Sequence, residues 1–237
     1  MKIKEIFDKK IKNILEGEKV LSILLIGAGA NIEEEDFHTL RDIDLFVITH
    51  GKYEFERELI TVDGVLFDVS YMSYNSFEKA IYDETPFLIN SLQSYKFVYN
   101  IDKDLAKLLD KIRYLYKRGP QKLKKDEIDY IRFKLYQDFT DILGRKEDLI
   151  NTEFLMNNLF YNILTYYYKL HGYWIPKDKK ILKDIQKIDK VLYNLSIDFI
   201  GEELDKKIEK LNTIMNYVLK PYGGVVKFWK RNSFPII

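Results

Sequence analysis

Cysteine is absent from the 237-residue chain. That excludes disulfides and thiolate metal sites, and a reducing compartment suits such a chain. Net charge is nearly absent too: 38 Lys and Arg stand against 37 Asp and Glu, a formal +1. No overall field draws the chain to nucleic acid, and no basic stripe interleaved with aromatics marks a polynucleotide track. The three histidines, His38, His50 and His171, are scattered, with no neighbouring acid that would make a triad. Without Cys or a Gly-x-Ser-x-Gly, the chain offers no obvious hydrolase nucleophile. No run reaches the ~18 apolar residues of a membrane span. The first ten residues mix acids and lysines without an apolar stretch, so no signal peptide is expected. Together these absences predict a soluble protein of the cytoplasm, with neither membrane nor nucleic acid as partner.

What is present supports a substantial core: 46% of residues are hydrophobic and 15% aromatic. The length fits one large domain or two small ones. Residues 2–17 carry Ile3, Ile6, Phe7, Ile11 and Ile14-Leu15, the spacing of an amphipathic helix ended by Gly17. Val20 to Ile26 is a short run that is apolar but for Ser22, as in a buried strand. Asn31 to Leu40 is acidic without a clean period and reads as a loop. Asp42 to Thr49 reads as a second strand. Tyr53–Thr61 and Val65–Tyr71 read as a hairpin joined through Val62-Asp63-Gly64. Ser76 to Asn90 is a helix interrupted near Thr85-Pro86, Tyr95 to Asn100 a last strand, and Asp102 to Arg118 a helix. Gly119-Pro120 then breaks the chain. Beyond it the character changes: 123–143, 148–170, 177–195 and 202–219 all read as helices. Gly223 to Trp229 reads as a short strand or an extended tail.

The stretch Leu21–Ile48 organises the rest. It holds an apolar run, a Gly27-Ala28-Gly29-Ala30 turn, an acidic loop, and Asp42-Ile43-Asp44 inside a second apolar run. Residues two apart in a strand share a face, so Asp42 and Asp44 present two carboxylates side by side. Such a pair repels unless a cation sits between, and so few hard oxygen ligands suit Mg²⁺ shared with substrate phosphates. The glycine turn is placed to offer backbone N–H groups to those phosphates. Arg41 would balance the carboxylates or contact a phosphate; a solvated flank explains it equally well. Asp68 interrupts the apolar run Val65–Tyr71, and a carboxylate among buried neighbours is costly unless paired or metal-bound. A Rossmann dinucleotide loop is the rival reading of the glycine turn. Ile32 stands where that fingerprint wants Gly or Ala, and Glu33-Glu34-Glu35-Asp36 would repel an anion.

Ile26-Gly27-Ala28, thirteen residues, then Asp42-Ile43-Asp44-Leu45 resembles the signature of the DNA polymerase β-like nucleotidyltransferase superfamily. Arg41-Asp-Ile-Asp-Leu also resembles the Ser-Asp-Ile-Asp-Leu of antibiotic (aminoglycoside and lincosamide) nucleotidyltransferases. One departure stands out: Ala28 replaces the usual Ser, keeping a backbone N–H and losing a hydroxyl.

The resemblance implies an α+β chain: a nucleotidyltransferase-like mixed sheet flanked by helices over 1–118, then an all-α helical bundle over 120–237. It implies transfer of a nucleoside monophosphate, AMP from ATP, to a hydroxyl, with two Mg²⁺ ions held by Asp42, Asp44 and Asp68. Gly27 and Ala28 would cradle β- and γ-phosphates. Trp174-x-Pro176-x-x-Lys179 resembles a helical-domain motif in which the Lys faces the triphosphate. Related enzymes take their general base from the helical domain, where Asp138, Asp141 and Glu153 are candidates and Asp141 is preferred. The acceptor expected by analogy is a small hydroxyl-bearing molecule of antibiotic type. The alternative is an antitoxin-like or otherwise non-catalytic module, or one that transfers AMP to a toxin-like partner protein. A homodimer is compatible with either reading.

Overall fold

The computed structural model describes residues 3–17 and 19–230. The chain divides into two compact units, Met1–Arg118 and Gly119–Ile237. The fold class is the expected one, a mixed sheet with flanking helices followed by helices alone.

In the first unit, α1 (Ile3–Gly17) leads into β1 (Val20–Leu25) and β2 (Ile43–Thr49), then β3 (Glu56–Val62) and β4 (Val65–Ser73). Helices α2 (Tyr74–Tyr82) and α3 (Pro86–Leu92) precede β5 (Lys96–Asn100) and α4 (Leu105–Arg118). The strands form one sheet in the order β3-β4-β2-β1-β5, with β2 and β4 parallel and every other pair antiparallel. All six residues of β1 are buried, as a central strand requires, and the one polar side chain among them, Ser22, donates its hydroxyl to the Tyr99 carbonyl at 2.9 Å. The β3–β4 turn works because Asp63 (φ 48°) and Gly64 (φ 85°) both adopt the left-handed region that a two-residue hairpin loop needs.

Alternation along the strands separates two faces. Ile43, Leu45 and Val47 of β2 and Phe67 and Val69 of β4 join Ile6, Phe7 and Ile14 of α1 in one core. The edge strand is tied to the same side: the buried Lys10 donates to Glu58 at 2.6 Å. On the other face, Phe46 meets Phe77 of α2, with ring centroids 6.0 Å apart. Asp44 and Asp68 stand one row before that contact, on the same face as Phe46.

The acidic stretch read as a loop instead forms two 3₁₀ turns, Gly29–Asn31 and Glu34–Thr39. The second buries Phe37 edge-on against Phe7, centroids 5.2 Å apart, so an apolar anchor overrides the acidic composition.

The second unit holds α5 (Lys125–Leu143), α6 (Leu149–His171), α7 (Ile181–Ile188), α8 (Lys190–Ile200) and α9 (Leu204–Leu219). Its core gathers Ile131, Leu135, Met156, Ile163, Ile185 and Leu211, among others. The single helix expected over 177–195 is in fact a 3₁₀ turn (Asp178–Lys180), α7 and part of α8. Asp189, at φ −148°, breaks the run and caps α8 by accepting from the Leu192 N–H at 2.9 Å. Residues 223–229 form no strand. The Arg132 guanidinium donates to the Gly223 and Gly224 carbonyls at 2.9 and 2.6 Å, securing two residues of left-handed backbone. No helix among the described residues is long and apolar enough to cross a membrane.

Candidate active site

The site is built by register. Asp44 of β2 lies directly opposite Asp68 of β4, and Leu59 of β3 lies opposite Asp68 in turn. Opposed residues in a sheet share a face, so Asp44, Asp68 and Leu59 form one row across three strands. Asp42 stands just ahead of β2 rather than inside it, and joins the row from the strand's entrance. One carboxylate oxygen from each of Asp42, Asp44 and Asp68 lies within 4.8 Å of the other two, and all three residues are half-buried.

The glycine turn meets this cluster because β1 runs antiparallel to β2. The Ile26 N–H donates to the Asp44 carbonyl at 3.0 Å, which leaves Gly27 immediately beside the Asp44 side chain. Gly27 has φ +65°, and a Cβ there would stand 2.3 Å from Asp44 Oδ2. Both the backbone conformation and the contact therefore demand glycine. Ala28 follows in helical conformation (φ −69°, ψ −35°) and opens the first 3₁₀ turn.

Three carboxylates this close repel each other in low dielectric, and hard oxygen ligands in this arrangement fit a divalent cation of the Mg²⁺ type. The protein's own positive charge at the site comes from Arg57 of β3. Its Nε donates to Asp68 Oδ1 at 2.7 Å and its Nη2 to Asp68 Oδ2 at 2.5 Å, a two-pronged pair. The hydrogen bond and charge of Asp68 hold this guanidinium above its usual pKa; burial opposes slightly, and the charge of Asp44 adds a smaller push upward. The Asp68 side chain is 14% exposed against 58% for Arg57, so the arginine reaches in from solvent.

The structure thus brings together Asp42, Asp44, Asp68 and Gly27, with Ala28 next in the turn. Arg41 is exposed in the bend before β2. Asp141 and Lys179 belong to the second unit. Asp141 is exposed on α5, with Arg145 Nη1 3.7 Å away, and Lys179 is exposed in the turn Asp178–Lys180. The alternatives to Asp141 are more engaged: Asp138 accepts a short hydrogen bond from Lys134, and Glu153 accepts from Lys207 at 3.4 Å.

Sequence reasoning overlooked Arg57. The signal was in reach, since the Asp63-Gly64 turn fixes the hairpin register. Counting back from it sets residue 59 opposite 68 and residue 57 diagonally next along the same face.

A nucleotidyltransferase-like protein from Exiguobacterium sibiricum 255-15, known from a crystal structure at 1.90 Å, is similar to this chain at a TM-score of 0.51. The chain shares that protein's fold. The likeness covers 92% of this chain and 75% of the other at 11% sequence identity, and so speaks for architecture alone. No protein-family model matches the chain, and no curated protein matches it in sequence.

Proposed function

We propose that this chain is a metal-dependent nucleotidyltransferase that moves a nucleoside monophosphate, AMP from ATP, onto a hydroxyl. One observation carries the reading: Asp42, Asp44 and Asp68 converge within 4.8 Å beside a turn that only glycine fits. The nucleotidyltransferase-like fold supports it.

In this reaction the acceptor hydroxyl oxygen attacks the α-phosphorus. The bond from that phosphorus to the α,β-bridging oxygen breaks, and pyrophosphate leaves with the electron pair. Asp42, Asp44 and Asp68 would hold two Mg²⁺ ions, which supply charge neutralisation on the phosphates and activation of the acceptor oxygen. Backbone N–H groups at Gly27 and Ala28 bind the β- and γ-phosphates. The acceptor proton passes to a general base, and Arg41 is assigned to the flank of the triphosphate. Small polar cationic antibiotics are the first acceptors to screen, followed by protein hydroxyls.

The test is isothermal titration of each non-hydrolysable NTP analogue with Mg²⁺ on the wild type and on Asp42→Ala/Asp44→Ala. Micromolar, Mg²⁺-dependent binding that vanishes in the double variant supports the reading. No binding of any NTP to folded wild type overturns it in favour of a non-catalytic module, which the missing hydroxyl at Ala28 would suit.

A further inference from the structure

We infer that Arg57 is a built-in counter-ion which a divalent cation must displace or offset at Asp68, so that the metal centre resists filling before nucleotide arrives. The inference rests on the nucleotidyltransferase reading of the same three acids. Arg57 is a positioning residue, acting on the site through Asp68.

The argument starts from geometry. Arg57 comes from the edge strand β3, diagonal to Asp68 in the hairpin ladder, and engages both oxygens of that carboxylate at once. A guanidinium in this fork takes up one lone pair on each oxygen. It leaves Asp68 fixed in rotamer, with less capacity for another cation. The three acids are therefore unequal: Asp68 is already neutralised by a two-pronged arginine before any metal arrives.

The asymmetry has a use. A site of three bare carboxylates would collect divalent ions indiscriminately. With Arg57 on Asp68, the local charge falls from about −3 to about −2, enough for one cation. Nucleotide phosphates then bring the extra negative charge that makes a second cation favourable. Because the Arg57 side chain is more than half exposed, it can swing into solvent without unpacking the core.

Coulomb's law sets the size of the effect. Removing one positive charge about 5 Å from a divalent ion, even at the dielectric of water, changes its affinity by about tenfold. The experiment is Mn²⁺ binding by electron paramagnetic resonance, at low salt and without nucleotide or acceptor. It compares wild type, Arg57→Ala, Arg57→Lys, Asp68→Asn and Arg57→Ala/Asp68→Asn, each checked for native near-ultraviolet circular dichroism. Arg57→Ala is expected to bind Mn²⁺ about tenfold more tightly than wild type, and Arg57→Lys within about threefold of it. In the Asp68→Asn background, removing Arg57 should gain less than twofold over Asp68→Asn alone.

Wild type that binds Mn²⁺ while Arg57→Ala binds equally or more weakly overturns the counter-ion role and leaves the proposed reaction standing. Failure of both folded proteins to bind Mn²⁺ overturns the inference and the metal-dependent reading together. Binding by Arg57→Ala alone supports both.

Discussion

Two sets of half-buried acids in this molecule are treated in opposite ways. In the helical unit, Asp184 accepts the Tyr168 hydroxyl at 2.8 Å, while Asp189 accepts the Tyr217 hydroxyl at 3.1 Å and the Leu192 N–H at 2.9 Å. Each is given neutral donors by the elements around it, and each holds helices together. In the sheet unit, Asp42, Asp44 and Asp68 face one another, and a two-pronged cationic partner is supplied to Asp68. The first two acids are surrounded by neutral donors; the other three are gathered against their own repulsion, with a cationic fork on one of them. The difference lies in packing and donors rather than in residue type, since all five are aspartates.

The comparison can be broken most sharply at Asp44. Asp44→Asn is expected to lower AMP transfer, followed by pyrophosphate release, by about a thousandfold or more. The same variant should leave urea-unfolding stability unchanged or raise it by about 0.5 kcal/mol in metal-free buffer, because like-charge repulsion is relieved. A loss of more than about 1 kcal/mol would mean that Asp44 serves the fold after all.

Gly27→Ala sharpens the same point from the turn. It forces a Cβ into the left-handed region and against Asp44 Oδ2. We expect about 2 kcal/mol of destabilisation by thermal or urea melting, together with weaker metal binding; a neutral effect on both would show that the turn has room.

On the opposite side of the comparison, Tyr168→Phe removes a donor from Asp184 while keeping the ring volume. It should cost about 1.5 kcal/mol in urea unfolding with no change in metal affinity.

The smallest effect is a pH dependence. Burial, above all, and then the hydrogen bond and charge of Asp184 push the Tyr168 phenol well above its ordinary 10.0. Tyr167 is likewise raised, by burial first and then by the charge of Asp189. A group whose folded pKa is raised contributes its stability fully below the unfolded value and loses it as pH climbs past that value. The unfolded chain releases these protons near pH 10 and the folded one does not, so stability falls above pH 10. At pH 10.5 the loss is about 0.8 kcal/mol for each tyrosine. Urea titrations at pH 8 and 10.5 measure it, and Tyr168→Phe should flatten the slope.

Much of the architecture was legible because its signals are local. The apolar run 20–26, the alternation around Asp44 and the Asp63-Gly64 turn each point to one element, and the structure has those elements. The interrupted apolar run marked Asp68 as a carboxylate in need of a partner; that it converges with Asp42 and Asp44 was what the nucleotidyltransferase resemblance implied. What escaped depended on contacts across the chain. The helix break at Asp189 is invisible to periodicity, because apolar residues keep helical spacing through it; Tyr217, from another helix, helps secure the turn. The burial of Phe37 was hidden inside an acidic segment because its partner Phe7 lies thirty residues earlier. Arg57 needed the hairpin register to be counted, not only recognised.

The register itself carries a consequence for how such a chain tolerates changes of length. Asp44 and Asp68 belong to strands held together by buried side chains, whereas Arg57 reaches Asp68 through the edge hairpin. A residue gained or lost in the connection 50–55 falls outside both ladders and leaves every side chain on its present face. A residue gained or lost at the turn 62–65 slides β3 against β4 by one step, turning Arg57 away while Asp44 and Asp68 stay together. Lineages of this protein could therefore shed or regain the arginine's influence through a single codon's insertion or deletion, without any substitution among the acids.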